Sequence, residues 1–162
     1  MADACTPTVL DSKVVQMEDL DRRIVALLAA DGRMSFTDLG KATGLSTSAV
    51  HQRVKRLEQR GVIRGYAAMV NHEALGLPLT ALIAVRPIDP AQPDDYPKRL
   101  HGIKEIETCY SVAGEASYVL TVRVASPVAL EELLATIRAK ANVSTTTTIV
   151  LSIPYEGRPP AI

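Results

Sequence analysis

The chain has 162 residues, of which 47 % are hydrophobic and 22 % are charged, and its 18 basic side chains balance its 18 acidic ones. These proportions are ordinary for a globular protein and exclude a disordered or fibrous chain. With no Trp and one Phe, the core must be aliphatic, and base stacking on aromatic side chains is excluded as the main binding mode.

The first predicted helix follows a segment, residues 1–16, that shows no periodicity and is expected to be a mobile tail. Asp19 is the predicted N-cap and Gly32 the predicted stop signal. Between them, apolar residues recur at helical spacing and form one stripe. This stripe consists of Leu20, Ile24, Leu27 and Leu28.

A second, short helix is predicted from Ser35, whose hydroxyl can cap it while Asp38 lies favourably near its N-terminus. It ends at Gly44, and its predicted inward residues are Phe36, Leu39 and Ala42.

The third predicted helix starts after Ser46 and ends at Gly61, with an inward stripe of Val50, Val54 and Leu57. Three short helices with a glycine turn between the last two predict a helix-turn-helix domain over residues 17–65. The next residues, 62–70, are rich in strand formers and predict a strand leading out of a winged helix-turn-helix unit. Residues 66–78 would then be strand and hinge linker.

The second half of the chain shows the hydrophobic patterns of four strands and two helices. Strands are predicted at 79–85, 106–112, 118–124 and 143–153, a short helix near 94–101, and a long helix that Ser126 caps and Pro127 opens. The order β-α-β-β-α-β predicts a ferredoxin-like domain over residues 79–155, followed by a tail at 156–162, and an α+β fold overall.

The outward face of the third helix carries residue types that read DNA grooves. Arg53 and Gln52 are the candidates for base contacts, whereas small hydroxyl and basic residues are expected at phosphates. A solvated basic face is the alternative, but the agreement of caps, glycine turn and buried stripe favours DNA binding. The predicted DNA-binding residues are Thr47, Ser48, His51, Gln52, Arg53, Lys55 and Arg56, of which His51 is equally well explained as a solvated side chain.

The charge distribution supports this interpretation although the total is zero. Residues 18–65 carry nine basic and six acidic side chains, and residues 66–162 carry eight and ten. A locally basic unit is what a nucleic-acid partner requires.

One set of residues in the first half of the chain forms a recognisable signature: Leu20-Asp21, Gly44-Leu45-Ser46, Val50, Arg53 to Glu58 and Gly61-Val62-Ile63. It resembles the DNA-binding signature of the Lrp/AsnC family of feast/famine regulators, and most of all that of its actinobacterial members. The turn from Ser111 to Gly114, leading to Ser117-Tyr118, resembles the glycine turn of the family's effector domain.

The resemblance implies a regulator of amino-acid metabolism genes whose C-terminal domain pairs subunits into dimers, often assembled into octamers, with a small amino-acid effector bound between dimers. A dimer implies a pseudo-palindromic site on double-stranded DNA. The implied effector-binding residues are Tyr110, Gly114, Glu115, Ala116, Ser117 and Tyr118. Where the family turn often has Asp, this chain has Ser117, so either Glu115 substitutes for it or the ligand differs.

The turn has a physical interpretation that does not depend on the family. Gly114 lets backbone N–H groups approach a ligand, although an ordinary hairpin glycine is an equally good explanation.

Two other functions are alternatives to an effector-controlled regulator. An architectural protein that condenses DNA without an effector would use the same helix. An enzyme resembling sirohaem decarboxylase subunits is disfavoured, since His101 is the only histidine of the second half and has no partner at motif spacing. No metal site or cofactor is expected. Cys5 and Cys109 are expected to be reduced, and the lack of signal or membrane-spanning patterns predicts a cytoplasmic, nucleoid-associated protein.

Overall fold

The computed structural model describes residues 17–89, 91 and 94–161. The predicted N-terminal tail, with Cys5, lies outside the described residues. The described chain forms two compact units, one of residues 17–69 with 154–161 and the other of residues 70–153. No helix in the described part of the chain is long and apolar enough to cross a membrane.

The first unit contains three helices, α1 (Asp19–Ala30), α2 (Phe36–Thr43) and α3 (Thr47–Gln59). α1 and α3 each contribute several aliphatic residues to one core and α2 contributes Leu39, at positions that the spacing predicted. The buried apolar residues of that core are Ile24, Leu28, Leu39, Val50, Val54 and Leu57.

The helix ends confirm most of the predicted caps. The Ser35 hydroxyl accepts a hydrogen bond from the Asp38 N–H at 3.1 Å, and Ser46 accepts one from the Ala49 N–H at 3.3 Å. Gly44 ends α2 with φ 75°, a conformation that favours glycine. The predicted cap of α1 is wrong, because the N-cap is Glu18, without a side-chain bond, and Asp19 is the first helical residue.

Two other predictions for this unit are wrong. Phe36 is 38 % exposed rather than inward, since it opens α2 and contacts the ring of His51 instead of the core. The segment 62–70 is not a strand or a wing, because it forms no hydrogen-bonded ladder with any described segment. Its first two N–H groups, of Val62 and Ile63, bond back to the Leu57 carbonyl at the end of α3.

The second unit is a four-stranded antiparallel sheet with helices α4 (Tyr96–Leu100) and α5 (Pro127–Ala141). The strands are β1 (Leu79–Pro87), β2 (Ile106–Ser111), β3 (Tyr118–Val124) and β4 (Val143–Ile149), in the order β2-β3-β1-β4. This confirms the predicted ferredoxin-like arrangement and the α+β class. Ser126 caps α5 by accepting from the Ala129 N–H, and Pro127 begins it.

One face of this sheet packs against apolar residues of the helices, and the other face is uncovered. Strand alternation puts Ala81, Ile83 and Val85 in the core with Leu120 and Val122. β4 is shorter than predicted: it ends at Ile149, and beyond the bond from the Val150 N–H to the Thr80 carbonyl the chain leaves the sheet. Leu151 and Ile153, predicted to lie in this strand, are 95 % and 45 % exposed.

The turn between α2 and α3 leaves no room for a side chain at Gly40. A Cβ added there would lie 2.7 Å from the Leu45 carbonyl oxygen, a backbone atom that cannot move aside as a side chain can. Gly40→Ala should therefore lower the free energy of unfolding of the first unit by about 1–3 kcal/mol, as overpacking does. Gly32→Ala is the control, since its Cβ would meet atoms no nearer than 3.7 Å. Equal stability of the two variants in chemical denaturation would contradict the turn geometry.

Candidate functional site

The outer face of α3 is polar and exposed, as the sequence predicted for six of its seven candidate residues. Gln52 and Lys55 make no hydrogen bond or ion pair to any described residue. The spacing of four residues aligns the exposed side chains along one side of the helix. These six are Thr47, Ser48, His51, Gln52, Lys55 and Arg56.

Local contacts orient two of these side chains. The Ser48 hydroxyl lies 3.1 Å from that of Ser46, the residue that caps α3. The His51 ring meets the Phe36 ring edge to face, with centroids 5.2 Å apart. The exposed Phe36 therefore has a place in the site: it limits the orientations of His51.

Arg53 was predicted to face outward, and this prediction is wrong. Its side chain is only 23 % exposed, and its Nη1 donates to Glu18 Oε2 and to Asp21 Oδ1, both at 2.8 Å. The hydrogen bond to Asp21, followed by that to Glu18, raises the pKa of the Arg53 guanidinium further above its usual value. Arg53 is thus a charged side chain held against the start of α1.

Arg56 both contacts the buried Asp21 and remains exposed. Its Nη2 lies 3.3 Å from Asp21 Oδ2, yet its side chain is 48 % exposed. Since a guanidinium has five N–H donors, Arg56 can hold Asp21 and still present donors to a ligand outside.

The structure brings the other candidate residues together at the β2–β3 turn. The Val112 N–H donates to the Ser117 carbonyl at 3.1 Å, and the Ser117 N–H donates to the Val85 carbonyl at 3.0 Å, which joins the turn to β1. Gly114 has φ 147°, a region that L-residues other than glycine rarely adopt, and a Cβ there would meet no atom within 4 Å. Its conformation, rather than crowding, requires glycine.

Glu115 carries the only carboxylate of this turn. Its Oε2 lies 2.7 Å from Arg86 Nη2, with both side chains well exposed. An ion pair so exposed contributes little stability. The carboxylate of Glu115 can therefore exchange this partner for another cation at small cost.

The two tyrosines of the predicted site lie in different environments. Tyr110 is 56 % exposed on the uncovered face of the sheet. Tyr118 is in the core, against Tyr96, and its hydroxyl donates to Asp94 at 2.7 Å, so the prediction that its ring lines a ligand site does not fit its position.

Asp21 was recognised as part of the family signature, but its pairing with the arginines of α3 was not predicted, although a signal was present. Asp21 precedes Ile24 by three residues and Leu28 by seven, so it belongs to the buried stripe of α1, and it is 1 % exposed. An acidic residue at a core position requires a buried partner. The basic residues of α3 were the available partners.

No group of three or more His, Cys, Asp or Glu side chains that could hold a metal ion occurs among the residues the structure describes. Cys109 lies on β2 and is exposed.

Comparison with known families places both units. Residues 17–58 match the AsnC-type helix-turn-helix domain, and residues 80–160 match the Lrp/AsnC ligand binding domain. The HTH-type transcriptional regulator LrpA of Mycobacterium tuberculosis is 56 % identical over 142 residues, which cover 88 % of this chain and 95 % of the relative. The leucine-responsive regulatory protein of Haemophilus influenzae is 35 % identical over 123 residues, 74 % of each chain.

Solved structures agree with these matches. A feast or famine regulatory protein from M. tuberculosis, complexed with L-methionine, superposes with a TM-score of 0.87 at 55 % identity and covers 90 % of this chain and 100 % of its own. LrpC of Bacillus subtilis superposes with a TM-score of 0.77 at 28 % identity, covering 86 % and 97 %.

The environment of Tyr118 predicts a specific pH dependence. Burial, and then the hydrogen bond to Asp94, raises the pKa of Tyr118 from 10.0 to about 12. Because the folded protein favours the neutral phenol, the stability it contributes is complete below pH 10 and is lost as the pH rises towards 12. The free energy of unfolding of the second unit should thus fall more steeply over this range in the wild type than in Tyr118→Phe.

Tyr110→Phe, which removes an exposed hydroxyl, is the control and should follow the wild type. Parallel curves for the wild type and Tyr118→Phe would contradict the assigned environment.

Proposed function

Because this chain belongs to the Lrp/AsnC family of HTH-type transcriptional regulators, we propose that it binds a pseudo-palindromic DNA site through α3, as a dimer or larger assembly, under the control of a small amino acid. Such a protein acts at the nucleoid in the cytoplasm, on genes of amino-acid metabolism. The observation that carries the proposal is the exposed polar face of α3 on a capped helix-turn-helix unit.

The contacts with DNA divide by side-chain chemistry. Gln52 can pair with the edge of an adenine, and its exposure without a protein partner suits it to reading a base. Thr47, Ser48 and Lys55, with the outer donors of Arg56, suit phosphates, which position the protein without specifying sequence. His51, held by Phe36, lies between the two groups.

The uncovered face of the sheet supports self-association. Apolar residues lie at its centre, with Leu82 39 % exposed and Ala84 opposite Val119. Threonines of β3 and β4 surround them, and Tyr110 lies on the neighbouring strand. A second copy can cover such a face by the same patch, which makes a symmetric dimer. Two copies of α3 would then read half-sites about one helical turn, or a multiple, apart.

Further assembly of dimers into octamers is part of the proposal. The support is the family resemblance and the position of the β2–β3 turn at the end of the sheet, where a dimer can meet another dimer. Sedimentation velocity over a range of protein concentrations would give the masses of the assemblies present.

The β2–β3 turn is the proposed effector site. The related M. tuberculosis regulator was crystallised with L-methionine, and a zwitterion of this kind needs an anion-binding and a cation-binding group. The backbone N–H groups around Gly114 provide the first and the Glu115 carboxylate provides the second. Ala116 and Ser117 complete the turn, and the exposed Tyr110 offers an apolar surface nearby. An effector that binds one assembly better than another shifts the population towards it and so changes the spacing of the α3 helices.

The phosphate assignment predicts the salt dependence of a Lys55 variant. Lys55→Ala should weaken binding to specific and unrelated DNA alike and reduce the slope of log K against log salt by about 0.9, the value for one phosphate contact. Lys98→Ala, on α4, removes the same charge and should leave the slope unchanged. Identical slopes for the wild type and Lys55→Ala in fluorescence anisotropy would remove Lys55 from the interface.

The effector assignment predicts the effect of an alanine at Gly114. Since an L-residue at this φ is strained by about 1–2 kcal/mol, Gly114→Ala should weaken L-methionine binding by roughly tenfold in isothermal titration. Gly102→Ala is the matched control, because its Cβ also meets no atom within 4 Å and its φ is unexceptional. No heat with the wild type for any of the twenty amino acids, and no change in DNA binding, would favour an architectural protein without an effector.

A further inference from the structure

One carboxylate joins α1 to the DNA-facing helix. The two oxygens of Asp21 each accept from a different arginine of α3, Oδ1 from Arg53 at 2.8 Å and Oδ2 from Arg56 at 3.3 Å. Asp21 is 1 % exposed, so this contact lies at the base of α3 rather than on its outer face.

The apolar contacts of α3 bury its inner face completely but include no directed bonds. Its buried stripe is two valines and one leucine, small aliphatic side chains whose contacts have no preferred direction. Sliding a helix by one residue moves it about 1.5 Å and turns its side chains by about 100°. The paired arginines, three residues apart, reach the two oxygens of one carboxylate in a single register only.

An ion pair such as that of Asp21 with the two arginines is better suited to fixing the relative position of two helices than to adding stability. The cost of removing charges from water offsets much of their attraction, so a buried pair contributes little net stability, whereas its directed bonds select one geometry. Glu18, 65 % exposed, adds a second acceptor to Arg53 from the solvent side.

We infer that Asp21 is a positioning residue for DNA binding, which acts by holding α3 through Arg53 and Arg56 in the register that presents Gln52 to a base. This inference rests on the proposed binding of DNA through α3. Asp21 touches no DNA in this account, and Arg53 is likewise internal, whereas Arg56 keeps donors for a phosphate.

Simple electrostatics predicts the opposite effect from positioning. A carboxylate near a DNA-binding face repels phosphates, so its neutralisation should strengthen binding to any DNA. If Asp21 instead positions α3, Asp21→Asn should weaken specific binding, because an amide that has lost the charge can no longer hold two guanidinium groups.

The test compares Asp21→Asn with Glu18→Gln, which removes the same charge from the same cluster but leaves the buried carboxylate in place. Affinities of the full-length variants for the protein's own operator and for an unrelated duplex of equal length are measured by fluorescence anisotropy. We expect Asp21→Asn to lower operator affinity by roughly tenfold, equivalent to about 1.4 kcal/mol, with binding to the unrelated duplex unchanged or tighter. Glu18→Gln should keep the wild-type ratio of the two affinities.

The inference is overturned if both variants strengthen operator binding, or if Asp21→Asn lowers both affinities by the same factor. Should Asp21→Asn melt below the assay temperature, Arg53→Lys takes its place. Its ammonium keeps the charge but ends one bond short of the place where Arg53 Nη1 meets both acids. Specific affinity should therefore fall several-fold while binding to the unrelated duplex stays constant; an unchanged ratio would contradict the inference. Failure of the wild type to distinguish its operator from the unrelated duplex would instead contradict the proposed function.

Discussion

The orientation of α3 depends on the buried carboxylate of Asp21. Aliphatic contacts and the caps at helix ends determine where the helices begin, end and pack. The bonds from Arg53 and Arg56 to Asp21, with that from Arg53 to Glu18, join the start of α1 to α3 by directed interactions. The directions of the outward side chains of α3, from the hydroxyls at its start to Lys55, follow from that register.

In the second unit, likewise, one face of the sheet is buried and the other is exposed. Its helices cover one side of the sheet and leave Leu82 and Tyr110 on the open side. The β2–β3 turn is bonded to β1 through Ser117 but points Gly114 and Glu115 away from the core. The proposed surface for a second copy and the proposed effector turn thus lie on the same sheet, an arrangement that would let ligand binding influence assembly.

Periodicity and caps predicted most of the fold from the sequence, because they reflect local chemistry. Val50, Val54 and Leu57 are buried as their spacing required, and Ser46 caps α3. The strand predicted at 62–70 failed for a nonlocal reason, since strand propensity does not provide a partner strand.

The candidate site was predictable in outline but not in its internal pairing. The spacing on α3 identified the outward face, yet it could not show that Arg53 bends towards α1, because that depends on which acids a neighbouring helix places nearby. The acid itself was visible in the stripe of α1. In the turn, Gly114 was recognised from its residue type, whereas the core position of Tyr118 depends on strand register and on Asp94, a residue distant in sequence.

Base preference along the operator tests the central claim most directly. Relative affinities for every single-base substitution of the operator are measured for the wild type, Gln52→Ala and Arg53→Gln. We expect Gln52→Ala to lose about 1–3 kcal/mol of discrimination at one base pair of each half-site. Because Arg53 holds the register that presents Gln52, Arg53→Gln should lose discrimination at that same base pair. Loss of discrimination at a different base pair in Arg53→Gln, or no loss in Gln52→Ala, would contradict the positioning of Gln52 by Arg53.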